Sequence, residues 1–417
     1  MNRERLHGIA LVLLGAMVPV GEGVGLGALS LLAVATALRW RDIDWAVCRR
    51  APAAMALAAF GVWLLCGAAA WGLGGEGLQK ASDLGIWAPL LALPLCLVAG
   101  ASLPPRWQRA AVVAFMMALG VSCVFGLLQF GLNVRPGESI ARVATTVASQ
   151  GRVPGDFERT AAGGFYFHRL KMAHVLLVGL GLVISRQLFA DLGWRRRGFE
   201  LALFALFAVT LLFTYARGAL VAAAIGAAVC LVWAPRRWLL GSAVVAVVAV
   251  AVLLSLSSVR QRLETMSGSE ASAVRGLIWS QGVRIIADHP LGVGLGNYPA
   301  VVDRYYDAVD PHFEIRTYPH SILLAAWAET GPIGMCAYGL AWLSVALACA
   351  AALKRRSTLD SAVCSAAGAG LFSITAFWVV GLTHDVLYHK PVALAFALMA
   401  GTVLSILARA PQTRMAE

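Results

Sequence analysis

The sequence predicts an all-α polytopic membrane protein of about twelve transmembrane helices with a helical loop domain on its outer side. Composition carries the first part: the 417 residues are 59% hydrophobic and 13% charged, with a mean hydropathy of +0.75, outside what a soluble globular domain of this length shows. Periodicity carries the second. Apolar runs of about 18 residues or more recur from end to end, each long enough to cross roughly 30 Å of hydrocarbon as a helix, and no alternating strand pattern suggests a barrel.

In order, the expected spans are 8–21, 24–38, 53–72, 85–101, 109–132, 166–186, 199–214, 217–234, 238–256, 320–352, 362–383 and 390–409. The first two share one Gly-rich stretch, GAMVPVGEGVGLGALS, and reading them as one span would invert everything after them. Charge settles the parity. With the N-terminus inside, the cytoplasmic loops are RWRDIDWAVCRR, PPRWQR, RQLFADLGWRRRG, PRRW and KRRSTLD, all short and basic as the positive-inside rule requires. Both termini are then cytoplasmic, and no cleavable signal peptide is expected. The net charge of +12 reflects membrane insertion and does not point to nucleic acid. The eight cysteines fall in spans or cytoplasmic loops, so neither a disulfide frame nor a zinc site is indicated.

Three regions follow: 1–256 with nine spans, a large external loop 257–319, and 320–417 with the last three spans and a cytoplasmic tail. A second long external loop occupies 133–165. Loops of this length are usually functional. In the larger one, SAVRGLIWSQGVRIIADHP places Val274, Leu277, Ile278, Val283, Ile285 and Ile286 near helical spacing and stops at Pro290. The polar interval GLGGEGLQKASDLG is expected along the outer membrane surface.

Charge meets helix ends on that outer side. LLFTYARGALVAAAIG sets Arg217 between two apolar runs, after Tyr215 and before Gly218. An arginine at such depth faces a wet cavity or a partner, or else snorkels at a helix boundary. The long loop adds Arg275, followed by GVGLG at 292–296; that glycine run lacks the preceding strand of a phosphate-cradling loop and reads as a flexible turn. DFERTAAGGFYFHRLKMAHVLL supplies Arg159, His168, Arg169, Lys171 and His174 at the outer mouth of the sixth span. Lys171 and His174 should face inward rather than lipid, His174 as a hydrogen-bonded packing residue. His320 opens the tenth span in RTYPHSILLAAWAETGPIG. Its imidazole is either a base able to take a proton from a hydroxyl or a helix-start residue, with Pro319 and Ser321 serving the N-terminus.

Two carboxylate patterns are set aside. Asp42 and Asp44 in DID lie in a basic cytoplasmic loop, and Asp303 with Asp307 at i,i+4 reads as a solvated helix face. No metal and no cofactor is required.

TYARGAL, AVRGLIW with ADHPLGVGLGNY, and HSILLAAWAETGPIGM, in this order and on one side of about twelve spans, resemble the O-antigen ligase and polymerase (Wzy/WaaL) superfamily of polytopic glycosyltransferases. The resemblance covers roughly residues 159–335 and in size and layout is to the O-antigen ligase branch. Ala216 stands where the family motif commonly has serine before its arginine, and Ser321 where asparagine often follows the histidine. The resemblance implies a fold related to the C-type glycosyltransferases. It implies metal-independent, inverting transfer of polysaccharide from undecaprenyl diphosphate to the lipid A-core oligosaccharide, at the periplasmic face of a Gram-negative inner membrane, in lipopolysaccharide biosynthesis.

That chemistry assigns Arg217 and Arg275 to the diphosphate, Arg159 as a third such arginine, and His320 as general base. His168, Lys171 and Tyr215 are further candidates at the same mouth. A repeat-unit polymerase or a protein O-oligosaccharyltransferase would share the donor and the residues; a lipid-linked glycan transporter would grip the same diphosphate only to move it. The expected partners are the two glycolipids and membrane lipid, with no nucleic acid.

Overall fold

The computed structural model describes residues 2–51, 55–56, 58–63, 66, 87–134, 151–153, 156–235, 270–307, 318–384, 386 and 388–410. The expected spans 53–72, in large part, and 238–256, the polar interval before residue 86, and Arg316 lie outside them. A helix stands at every other expected span.

The chain runs α1 Arg3–Met17, α2 Glu22–Ala37, α3 Trp45–Arg50, α4 Ala92–Ser102, α5 Pro105–Leu132, a hairpin of β1 Arg152–Val153 and β2 Asp156–Thr160, α6 Arg169–Phe189, α7 Trp194–Phe213 and α8 Arg217–Trp233. It continues as α9 Glu270–Asp288, α10 Tyr298–Asp307, α11 Ile322–Lys354, α12 Ser361–Gly381 and α13 Lys390–Arg409. Among the described residues α5, α6, α11, α12 and α13 are long and apolar enough to cross a membrane; α2, the stretch 88–102 and α8 are shorter apolar helices. The Gly-rich stretch near the N-terminus does divide into two helices, α1 and α2, packed on one another.

Local chemistry sets the ends. Asn2 accepts from the Glu4 N–H at 3.1 Å and Asp44 from the Val47 N–H at 3.0 Å, so two side-chain caps begin α1 and α3. Asp42 meets Arg39 at 3.6 Å. The DID carboxylates therefore serve the local fold. The small antiparallel hairpin, pairing Arg152 with Thr160 and Val153 with Asp156, was not expected in the 133–165 loop.

The centre is α6, α12 and α13, whose apolar windows are 83%, 78% and 83% buried, against 33% for α5 and 39% for α11. Phe372 of α12 packs where Gly181 of α6 and Gly226 of α8 leave room; a β-carbon on either would fall 2.7 or 3.0 Å from its ring. Small residues let helices approach in this way where no hydrophobic effect drives them together. α9 packs on α10 and both pack on α11, forming the helical cap expected from the long loop.

α11 is not one rod. Gly331, at φ 68° and ψ −179°, breaks it ahead of Pro332, dividing the expected span 320–352 into a short head, Ile322 to Thr330, and a long stem.

Candidate active site

Two turns at one end of the bundle hold side-chain-bearing residues in left-handed backbone: Tyr215 at φ 56° and His320 at φ 45°. That conformation costs about 1–2 kcal/mol for an L-residue and persists where the surroundings over-determine it. For Tyr215 those surroundings are visible. Arg169 Nη1 donates to its carbonyl at 3.4 Å, and the Ala216 N–H donates to Thr214 Oγ1 at 3.3 Å. The turn thus delivers Arg217 as the first residue of α8, exposed at the bundle end, with Gly218 behind it.

His320 lies between the buried Pro319 and Ser321, the residue before α11. Ser321 holds the N-cap position of α11 without a side-chain cap hydrogen bond, and its carbonyl accepts from the Ala325 N–H at 2.9 Å, so His320 stands at the helix start. Gly282 of α9 lets Pro319 approach, a β-carbon there falling 3.3 Å from the proline ring. Tyr318 stacks between Tyr298 of α10 and Tyr388, with centroids at 5.8 and 3.5 Å.

These elements meet at a residue that sequence reasoning passed over. His384, in the loop between α12 and α13, has Nε2 3.4 Å from where a β-carbon on Gly218 would stand. Its pKa is pushed down to about 4, first by loss of water around the ring and then by electrostatic interaction with Arg275, His320 and Arg169. One imidazole is therefore within electrostatic reach of the cap helix α9, the start of α11 and the start of α6, and rests against the start of α8.

Behind His384 lies a group of histidines. His174 is 5.3 Å from His384 and 6.3 Å from His389, and His168 is 5.4 Å from His389, between ring centroids. His389 is held well below the ordinary histidine range, by burial first and then by His168, Lys171, His384 and His320. His168 caps α6, Nδ1 accepting from the Lys171 N–H at 3.3 Å. Lys171 and Lys390 both reach Glu22, at 3.2 and 3.3 Å. Lys171 and His174 do face inward, as expected, but His174 is not hydrogen-bonded: it is fully buried and neither ring nitrogen has a partner. The signal for the missing members was available, two histidines five apart in GLTHDVLYHKP between the last two spans.

Arg159 stands at one remove. Its guanidinium lies 4.6 Å above Phe130, whose ring is 4.3 Å from Phe213 and 6.3 Å from Tyr215. It borders the Tyr215 turn from the side of the hairpin.

The glycine run 292–296 is a turn docked on α11 and not an open phosphate cradle, because the amides of Gly292, Val293, Gly294 and Gly296 are already used. The Val293 N–H donates to the Ala328 carbonyl at 2.8 Å and the Gly294 N–H to the Glu329 carbonyl at 3.1 Å. The first of these carbonyls has no helical donor at the break in α11, since Pro332, four residues after Ala328, has no N–H to give. Glu329, also fully buried, accepts from the Gly296 N–H at 2.9 Å and from Trp87 Nε1 at 2.8 Å. Beneath Trp87 an apolar cavity of about 390 Å³ is bordered by Phe60, Leu93, Tyr338 and Trp342.

Among the described residues no three His, Cys, Asp or Glu side chains are grouped to hold a metal ion, and Asp303 is exposed on α10. The site sets Arg169, Arg217 and Arg275 around imidazoles of which His384 and His389 are held below the ordinary histidine range. It can bind an anion through arginines and can move a proton. Residues 202–339, from α7 through the cap to the stem of α11, match the family described as O-antigen ligase. No curated protein matches the chain.

Proposed function

From the match of residues 202–339 to the family described as O-antigen ligase, we propose that the chain belongs to that family and transfers polysaccharide from undecaprenyl diphosphate to the lipid A-core oligosaccharide. The reaction takes place at the periplasmic face of the inner membrane. One observation carries the reading: Arg275 and His320 both act on His384, which rests against Gly218, next to Arg217, at one end of the bundle.

The chemistry follows from the groups. As the sugar leaves the diphosphate, negative charge grows on the departing oxygen and must be met by fixed cations. Arg217 and Arg275 meet it, since a guanidinium stays charged and binds phosphate oxygens through two parallel N–H bonds. Arg159 extends this surface toward the hairpin. His320 takes the proton of the acceptor hydroxyl as its oxygen attacks the anomeric carbon from the side opposite the diphosphate, inverting it. His168 and Lys171 hold the start of α6, and Tyr215 fixes the angle at which Arg217 enters. The apolar cavity below Trp87 supports a donor carried on a polyprenyl tail.

The test is incubation of the purified protein with undecaprenyl-diphosphate glycan and lipid A-core, reading which acceptor gains mass. The expected result is mass on the lipid A-core, undiminished after exhaustive chelation and lost in a folded His320→Ala variant. Growth of the lipid-linked glycan instead identifies a polymerase, and movement of donor across vesicles without transfer identifies a transporter.

A further inference from the structure

We propose that the end of the bundle opposite His320 holds an anionic phospholipid, its phosphate gripped by Arg50 and Arg355. Both arginines line one cavity of about 190 Å³, set among the end of α3, the end of α11, the start of α12 and the end of α13. The rest of its lining is alanine, leucine and valine, Ala348, Ala352, Val363 and Leu407 among them. It shares no lining residue with the apolar cavity below Trp87.

Depth and charge name the ligand. At a rise of 1.5 Å per residue the stem of α11 runs roughly 35 Å from the Gly331 break to Lys354, against roughly 30 Å of hydrocarbon. Arg355 therefore stands at the boundary where phospholipid phosphates lie, on the face that the charge pattern assigns to the cytoplasm. The adjoining Arg49 and Arg409 are already used: Arg49 Nε donates to the Trp45 carbonyl at 3.3 Å, and Arg409 to the Ala101 and Leu103 carbonyls at 2.6 and 2.7 Å. Among the described residues neither Arg50 nor Arg355 has a side-chain hydrogen bond or an ion pair, and Asp360, the N-cap residue of α12, pairs with neither.

A phosphodiester satisfies both. A guanidinium stays charged and presents paired N–H donors that match two phosphate oxygens, and basic recesses between membrane helices on the cytoplasmic side take up anionic headgroups. The remaining side chains of the cavity offer no hydrogen bond to a sugar or a base, while their apolar surface receives acyl chains. A headgroup with an ammonium beside its phosphate adds a further positive charge to the arginines; phosphatidylglycerol adds none. The lipid so held ties α3, α11, α12 and α13 together at the end away from the candidate active site.

The experiment titrates the full-length protein, delipidated in a neutral detergent, with phosphatidylglycerol, phosphatidylethanolamine or glycerol phosphate, and follows the bound molecules by native mass spectrometry. Phosphatidylglycerol is expected to bind at least about 10-fold more tightly than phosphatidylethanolamine, with glycerol phosphate not retained. Arg50→Gln combined with Arg355→Gln should weaken it by about 30-fold, at about 5-fold for each charge removed near the surface. Arg50→Lys combined with Arg355→Lys keeps the charge and loses the paired donors, and should still weaken it by roughly 10-fold. Both arginines are exposed, so the lipid-free variants should melt with the wild type. Equal binding of the two phospholipids by the wild type overturns the proposal, a result that needs no variant. So does wild-type affinity in either double variant, which assigns the lipid to the basic face at large. Glycerol phosphate bound as tightly as the lipid assigns the cavity to a soluble phosphate, and phosphatidylglycerol bound only after removal of residues 411–417 assigns it to that segment of the chain; each of these overturns the proposal too.

Discussion

Trp87 Nε1 donates to Glu329 Oε2 at 2.8 Å, across the membrane helices from a residue ahead of α4 to the head of α11. The same oxygen accepts from Gly296, so one buried carboxylate joins three segments. Glu329→Ala strands both donors at about 1–3 kcal/mol each, and a clear fall in melting temperature in detergent is expected. Glu329→Gln, which keeps an acceptor oxygen, should lose less; equal melting of Ala variant and wild type would show that the carboxylate holds nothing.

The docking of the glycine run on the helix break gives a steric prediction. A β-carbon on Gly292, at φ 89°, would lie 2.7 Å from the Glu329 carbonyl oxygen, and one on Gly331 would lie 2.7 Å from the Leu291 carbonyl oxygen. Gly292→Ala and Gly331→Ala should each cost more than about 2 kcal/mol, combining left-handed strain with the clash. Gly276 in α9 is the control, since a β-carbon there meets nothing within 4 Å. Gly276→Ala should be neutral or stabilising by up to about 1 kcal/mol. Thermal unfolding of the three variants separates the cases.

Arg217 distinguishes diphosphate binding from snorkelling. A lysine keeps the charge and loses the fork, so Arg217→Lys should lower the transfer rate by roughly 10- to 100-fold while the melting temperature holds. A wild-type rate in Arg217→Lys would assign the side chain to the membrane boundary alone.

Acid should destabilise the protein through its loop histidines. His384 is pushed down to about 4 from the ordinary histidine value near 6.5. Between those values the unfolded chain binds the extra proton, so stability rises with pH across this window and is lost as pH falls through it. The slope is about 1.4 kcal/mol per pH unit for each such histidine at most, and His389 adds to it in the same direction. Melting temperature measured from pH 7 down to pH 4 should fall, and more shallowly in His384→Gln. Parallel curves for variant and wild type would contradict this.

What the sequence made legible was anything marked by charge against an apolar background. Arg217 and His320 stood out because each interrupts or begins a hydrophobic run, whereas Arg275 is unremarkable by itself in a solvated loop and was singled out only by the need for cations at a diphosphate. His384 and His389 were marked only by their spacing in the short loop GLTHDVLYHKP; what gives them weight is the return of α12 and α13 to the end where α6 and α11 begin, a tertiary fact. The glycines 292–296 were visible, but their partner is a gap in another helix's hydrogen bonding, readable only by pairing them with the Gly331–Pro332 break far along the chain. Glu329 was the recoverable miss. A carboxylate in an apolar helix implies partners; that one of them is Trp87 is set by the fold.

The break at Gly331 also divides two mechanical duties. The long stem of α11 answers to the bilayer and tilts as hydrocarbon thickness changes. The head, Ile322 to Thr330, is bound through Ala328 and Glu329 to the glycine run that links α9, which bears Arg275, to α10. Because Trp63 and Trp87 also donate to Thr330 and Glu329 of that head, the break pins the helix that follows His320 to the bundle and to the glycine run at once, without a continuous helix to act as a lever on it.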